Sequence, residues 1–180
     1  MRHLVLGALT AATILLADCT QGDTSSAVAK PVTVFALRHA EKVDDPQNSD
    51  PELTPEGQRR AEALARLLGS SGITHLFASE FRRTQATITP LAEAVGLEIT
   101  QISAGSMADQ IEALRALPAG SIAVVAGHSN TIPQIVARLG GEVGNLTRRG
   151  FIEDDTHDRL FIVTLPVTQE TATQTVELRY

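Results

Sequence analysis

Thr33-Val34-Phe35-Ala36-Leu37-Arg38-His39-Ala40-Glu41-Lys42 is the stretch on which the rest of the chain depends. Its apolar, β-branched half reads as a buried strand, and the strand stops at an Arg-His pair followed by charged residues. An open α/β sheet binds ligands at the carboxyl ends of its strands, so Arg38 and His39 are expected at the mouth of a crevice. A guanidinium grips two phosphate oxygens in a fork, and a neutral imidazole nitrogen beside it can attack phosphorus. An Arg-His pair at a strand end also serves as an ordinary polar cap, so the stretch alone leaves both readings open.

Working outward, the chain alternates strand and helix patterns. A polar loop runs from Val43 to Leu53, and Thr54-Pro55-Glu56 then has the marks of a helix start: cap, first-turn proline, and acid at the positive end of the dipole. Apolar positions Ala61, Leu64, Ala65, Leu67 and Leu68 give that helix one buried face, and Gly69 to Gly72 ends it. Ile73 to Ala78 is a second strand, stopping at Ser79. A helix opens at Arg82 or Arg83 and reaches Gly96, and Pro90 is expected to kink or divide it. Leu97 to Ile102 reads as a short strand, Met107 to Leu117 as a helix and Ser121 to Ala126 as a very apolar strand that stops at Gly127-His128. A helix from Ile132 to Leu139 follows, then strands at Leu160 to Leu165 and Thr175 to Leu178, the last antiparallel at an edge. The expected architecture is one α/β/α layered domain with a mostly parallel central sheet.

Composition agrees with an ordinary globular domain: of 180 residues 43% are hydrophobic and 20% charged, enough to bury a substantial core. A formal net charge of -6 argues against a nucleic-acid surface. An acidic protein that handles an anion must gather its positive charge locally, and the three strand ends offer two histidines and two arginines for that purpose.

Residues 1–29 read as an export signal, with a basic start at Arg2 and His3 and an apolar stretch from Leu4 to Ala17. Two processing sites compete. Leu16-Ala17-Asp18-Cys19 resembles a lipoprotein signal cleaved before Cys19, although Asp18 departs from it, while Ala27-Val28-Ala29 is an A-x-A site that would free residues 30–180. The expected location is the bacterial periplasm or the cell envelope, with membrane contact only through lipid on Cys19.

The ordered motifs resemble those of the histidine phosphatase superfamily, also called phosphoglycerate mutase-like. Arg38-His39-Ala40-Glu41 matches its first motif, with Leu53-Thr54-Pro55-Glu56-Gly57 after it. Ser79, Arg83, Thr84 and Thr87 match the second, and Gly127-His128 the third. The resemblance implies a phosphoglycerate mutase-like fold and a nucleophile, His39, that becomes phosphohistidine. Arg38, Arg83 and His128 would hold the phosphoryl oxygens, Ser79 would orient them and Glu41 would stand behind them. No metal or other cofactor is required, and the partner is a small phosphorylated compound, not nucleic acid.

Better-known members carry an acidic residue between the second and third motifs, and here Glu93, Glu98, Asp109 and Glu112 are available. Glu93 and Glu98 read as exposed, and Asp109 is the candidate acid, its competing role being to stabilise a helix start. The compact chain is similar to small phosphohistidine phosphatases, which act in the cytosol, whereas export points to a different substrate. Alternatives are an envelope protein that binds a phosphorylated ligand without turnover, and a phosphomutase. Among other polar groups, Arg82 reads as a solvated helix-start cation, Ser129 to Thr131 as helix caps and His75 as a hydrogen-bonded strand residue. Glu153-Asp154-Asp155-Thr156-His157-Asp158 reads as a solvated turn, since its spacing fits no metal site.

Overall fold

Val34, Ala36 and Leu37 are completely buried and give the first strand, β1 (Thr33–Arg38). The computed structural model describes residues 29–168 and 171–180, so residues 1–28 of the signal expected over residues 1–29, Cys19 included, lie outside the described residues. After β1 come α1 (Pro55–Leu68), β2 (His75–Ala78), α2 (Arg82–Val95), β3 (Ile99–Gln101), α3 (Met107–Arg115), β4 (Ile122–Gly127), α4 (Thr131–Arg138), β5 (Arg159–Thr164) and β6 (Gln174–Arg179). Most boundaries fall within two residues of the sequence expectation.

Six strands form one sheet in the order β3-β2-β4-β1-β5-β6. β3, β2, β4 and β1 run parallel, while β5 is antiparallel to β1 and β6 to β5. The sheet is therefore mixed, with its four-stranded parallel part carrying the three strand ends singled out above. One face is covered by α1 and α2, whose Leu64, Leu68, Ile88 and Leu91 pack on Leu37, Leu76, Val124 and Leu160. On the other face α3 and α4 bring Leu114, Ile132, Ile135 and Val136 against Phe77, Val125 and Phe161. Each fully buried large side chain contributes about 2 kcal/mol through its removal from water, and this anchors both helical layers to the same strands.

The start of α1 follows from its sequence. Thr54 sits in extended backbone and its Oγ1 accepts from Gly57 N at 3.1 Å, with Pro55 in the first turn. That turn lies directly on the chain after β1: Thr54 N donates to Glu41 O at 2.9 Å, and a β-carbon at position 57 would collide with the same carbonyl. Gly57 thus lets helix α1 approach the segment that follows His39. Of the two outcomes expected at Pro90, division of the helix does not occur, since α2 continues through it. Ala86 and Pro90 line an open groove between α1 and α2, which leaves the pyrrolidine ring room without parting the helix.

Candidate active site

Adjacent parallel strands end together, with Arg38 opposite Gly127 and Ala78 opposite Ala126. The residues just beyond those ends therefore share one crevice. His39 continues the ladder by one bond, its N–H donating to Gly127 O at 2.9 Å. His128 follows on β4, and its backbone N–H is received by Thr131 Oγ1 at 2.8 Å. The two imidazoles meet edge to face with centroids 5.5 Å apart. An open cleft of about 580 Å³ is lined by Arg38, His39, Arg83 and His128, with Lys42, Glu80, Phe81 and Asp154 among the residues around them.

Hydrogen bonding fixes how these groups present themselves. His39 Nδ1 lies 2.7 Å from Ala40 O. A carbonyl only accepts, so Nδ1 carries the proton and Nε2 keeps its lone pair. His128 Nε2 lies 3.0 Å from Ser79 Oγ, which lies 2.8 Å from Thr84 Oγ1. The Thr84 hydroxyl donates to Phe81 O at 2.7 Å. Ser79 therefore connects His128 to the start of α2.

Two arginines are held in different ways. Arg38 is 6% exposed, and its Nη1 faces three backbone carbonyls, those of Glu153, Asp154 and Thr156, at 2.8, 3.0 and 3.2 Å. Arg83 has looser partners, Ser49 O at 3.3 Å and Asp50 Oδ1 at 3.4 Å, and its guanidinium stacks 4.3 Å from the Phe81 ring centroid. Each keeps a buried Nε that meets no acceptor among the described residues. Orphaned buried donors of this kind are rare in folded proteins.

Glu41 is not among the residues lining this cleft. Its carboxylate pairs with Arg60 at 2.6 to 2.9 Å, and Arg60 also donates to Tyr180 O at 2.7 Å, tying the chain after His39 to α1 and β6. Asp109 is an exposed residue in the first turn of α3 and is not among the residues lining the cleft, which corresponds to its competing, dipole-stabilising role. Glu80, which the sequence did not single out, is a carboxylate at the cleft wall, as is Asp154. It accepts from Ala104 N at 2.7 Å and Ser103 Oγ at 3.2 Å, and the Ala104 bond holds its pKa below the usual carboxylate value.

The turn from Glu153 to Asp158 is the chief correction. It was expected to be merely solvated; instead its carbonyls clasp Arg38, and His157 Nδ1 reaches the backbone oxygen of His39 at 2.9 Å. Asp154 does remain solvent-facing. Among the described residues no set of three His, Cys, Asp or Glu side chains is gathered as a metal site. Arg82, half exposed, pairs with Asp50 and Glu52 and so fastens the loop that also carries the Arg83 partners. His75 is hydrogen-bonded to Thr74 Oγ1 at 2.8 Å, as expected. No signal short of the fold would have brought Lys42 and Asp154 to the cleft wall, Asp50 to Arg83 or His157 to the His39 carbonyl.

Burial holds both central imidazoles neutral: His39 is pushed down to about 3 and His128 to about 4, chiefly by desolvation, with neighbouring arginines lowering both further. The sign of the effect on stability follows. As pH falls below the ordinary value of 6.5, the unfolded chain takes up protons that the folded one refuses, so stability is full above pH 7 and declines toward pH 4. Each histidine contributes a slope of up to about 1.4 kcal/mol per pH unit. Urea titrations at pH 7 and pH 5 are expected to differ by roughly 3 kcal/mol, and His39→Gln combined with His128→Gln should remove most of that difference. Equal stability at the two pH values would contradict the assignment of neutral, buried rings.

Comparison with known proteins bears on the whole arrangement. A family model described as histidine phosphatase superfamily (branch 1) matches residues 34–104. Over 71 residues the chain is 39% identical to a protein named probable phosphoglycerate mutase GpmB from Yersinia enterocolitica, and 35% identical to the protein of that name from Enterobacter sp.. Each match takes in 37% of this chain and 33% of the relative, so the match spans about a third of the length of these relatives. Among solved structures, the protein histidine phosphatase SixA complexed with tungstate superposes with a TM-score of 0.59 at 18% identity, over 82% of this chain and 96% of that one. A mycobacterial glucosyl-3-phosphoglycerate phosphatase in complex with VO3 gives 0.60 at 15% identity, over 82% and 98%. At these identities the structural likeness is one of fold.

Proposed function

Because the chain belongs to the histidine phosphatase superfamily, we propose that it is a phosphatase that works through a phosphohistidine on His39, acting in the cell envelope on a small phosphomonoester or phosphoramidate. The observation that carries this reading is the state of His39: a buried, neutral ring whose Nδ1–H is committed to Ala40 O and whose Nε2 is free to act, between two arginines. The structural relatives named above were solved with tungstate and VO3, oxyanions that resemble phosphate in shape and charge, and this too favours an oxyanion pocket.

In the proposed reaction Nε2 attacks phosphorus in line and the bond from phosphorus to the leaving group breaks, the leaving group keeping the electron pair. The ring, still protonated at Nδ1, becomes a phosphoimidazolium whose positive charge is spread into the Ala40 carbonyl. Arg38 and Arg83 meet the phosphoryl oxygens, their unpaired Nε–H groups supplying donors that an entering oxygen would satisfy, and His128, neutral and bonded through Nε2 to Ser79 Oγ, joins them as a donor on taking up a proton. Water then attacks phosphorus, the P–N bond returns its pair to Nε2, and phosphate leaves as the water's proton passes to solvent or product. Most of the acceleration comes from positioning and from fixed positive charge.

The leaving group receives little help. Of the two carboxylates that line the cleft, Glu80 is held ionised by Ala104 N and Ser103 Oγ and Asp154 faces the Arg38 guanidinium at 4.0 Å, while Asp109 lies outside the cleft lining. A positioned acid usually contributes 10²–10⁴-fold, so substrates that leave without a proton should be preferred. Aryl phosphates and phosphoramidates are expected to show kcat/KM on the order of 10² or more above alkyl phosphates of similar size. A series of graded leaving-group pKa measures this. A flat series would reveal a proton donor, and loss of that flatness in Glu80→Gln would name it.

The phosphomutase reading draws on the names of the two sequence relatives. Against it, the span from Arg83 to His128 is taken up by α2, β3, α3 and β4, leaving little chain to cover a substrate and exclude water. Transfer to water rather than to an added alcohol supports the phosphatase, and retention of phosphate without turnover would favour a binding protein.

A further inference from the structure

The segment from Glu153 to His157 serves both of the groups that begin the reaction. Its carbonyls hold Arg38 Nη1, and its last residue bonds the nucleophile's own backbone. Since the His39 carbonyl can only accept, His157 Nδ1 must carry a proton in the 2.9 Å contact, and it does so whether the ring is neutral or charged. The two rings lie 5.7 Å apart between centroids, tilted by 47°. His157 is half-buried and lines a second cleft of about 700 Å³ on the far side of Arg38.

Why a hydrogen bond to a backbone oxygen should matter to chemistry follows from the peptide it touches. The plane joining His39 to Ala40 is bonded on both sides: its C=O receives His157, and its N–H donates to Thr87 Oγ1 at 2.8 Å. Thr87 Oγ1 is itself fixed, donating to Arg83 O at 2.7 Å. The next carbonyl along, that of Ala40, is the one that accepts His39 Nδ1–H and so decides which ring nitrogen stays bare. Rotation of the 39–40 peptide would swing the Ala40 carbonyl away from the ring. With His157 absent, Thr87 is the one remaining hydrogen-bond partner of that peptide among the described residues.

We propose that His157 is a positioning residue for the nucleophile, its Nδ1–H clamping the 39–40 peptide so that the Ala40 carbonyl keeps His39 in the tautomer and orientation that present Nε2. The proposal rests on the phosphohistidine reading above. It assigns His157 no contact with substrate, so its removal should slow phosphoryl transfer while leaving substrate affinity nearly untouched. Asn is the informative replacement, because its Nδ2 occupies nearly the place of the histidine Nδ1 and can donate the same bond. Phe keeps a ring of similar size without a donor.

Rapid-quench measurement of phosphoenzyme formation from an aryl phosphate, on the full-length protein, separates the outcomes. His157→Phe is expected to form phosphoenzyme about 10-fold more slowly, a small displacement of a reacting group sufficing for that, with KM within about twofold as positioning without substrate contact requires. His157→Asn should recover most of the rate. Nitrogen-15 shifts of the imidazoles in the wild type should show the proton of neutral His157 on Nδ1, and His157→Phe should show His39 divided between tautomers. Wild-type speed in His157→Phe, a loss in His157→Asn as large as in His157→Phe, or a neutral wild-type His157 with its proton on Nε2 would each overturn the proposal. The last of these needs no variant to fold. A wild type that makes no phosphoenzyme at all would instead overturn the reading of the site.

Discussion

His39→Asn is expected to lower turnover by on the order of 10⁴-fold or more, the scale seen when a covalent nucleophile is removed. Asparagine is a searching choice because its Nδ2 can still donate to Ala40 O, as His39 Nδ1 does, while nothing takes the place of Nε2. The variant therefore separates the attacking atom from the hydrogen bond that orients it. Position 39 is 3% exposed, and a smaller polar side chain there leaves a gap that water or phosphate can enter, so folding should survive. Phosphate affinity should change by only a few fold, since Arg38, Arg83 and His128 remain. Turnover by His39→Asn within about tenfold of wild type would show that another group attacks, and His128, 5.5 Å away, would be the first to test.

The second large effect belongs to Arg38. Arg38→Met keeps much of the buried stem but removes the charge and the donors, and kcat/KM is expected to fall by about 10³-fold, the range found when an arginine that stabilises a transferring phosphoryl group is lost. Stability should fall as well, because the carbonyls of Glu153, Asp154 and Thr156 lose their shared donor; since Glu153 and Asp154 are exposed and Thr156 half-buried, water replaces part of what is lost and the net cost is about 1 kcal/mol per bond at most. Arg83→Met offers the contrast. Its partners, Ser49 O and Asp50 Oδ1, sit at 3.3 and 3.4 Å beside the exposed loop, so activity should drop with little change in the urea midpoint. Equal destabilisation by the two variants would argue that the 153–157 segment does not depend on Arg38.

Local rules located the strand ends because the chemistry there is written in short runs: buried β-branched and small residues followed at once by Arg38-His39, by Ser79 or by Gly127-His128. The cap at Thr54, the proline after it and Gly57 were equally plain, and the structure adds the reason for the glycine, a helix start pressed against the Glu41 carbonyl. What stayed illegible is what depends on pairing across the chain. β5 reads as an apolar strand, yet nothing local says that it inserts beside β1 and runs against it, and that placement carries the 153–158 turn to Arg38. The turn's acidic, polar composition suits solvent, and Asp154 is indeed exposed, but its function lies in backbone carbonyls, which no side-chain pattern reveals. His157 and Glu80 were missed for the same reason, their meaning coming from the His39 carbonyl and the Ala104 amide. The division of α2 that Pro90 allowed for does not occur, the helix running through it beside an open groove.

The measurement that bears most directly on this site is a quench of full-length protein in its first turnover with an aryl phosphate, in the presence of chelator, followed by intact mass and peptide mapping. The expected result is one phosphoryl group per chain, carried on His39, labile to acid, lost with time as phosphate appears, and lacking in His39→Asn. Phosphate released over many turnovers with His39 unmodified at every time point, or a phosphoryl group found on a different residue, would contradict it.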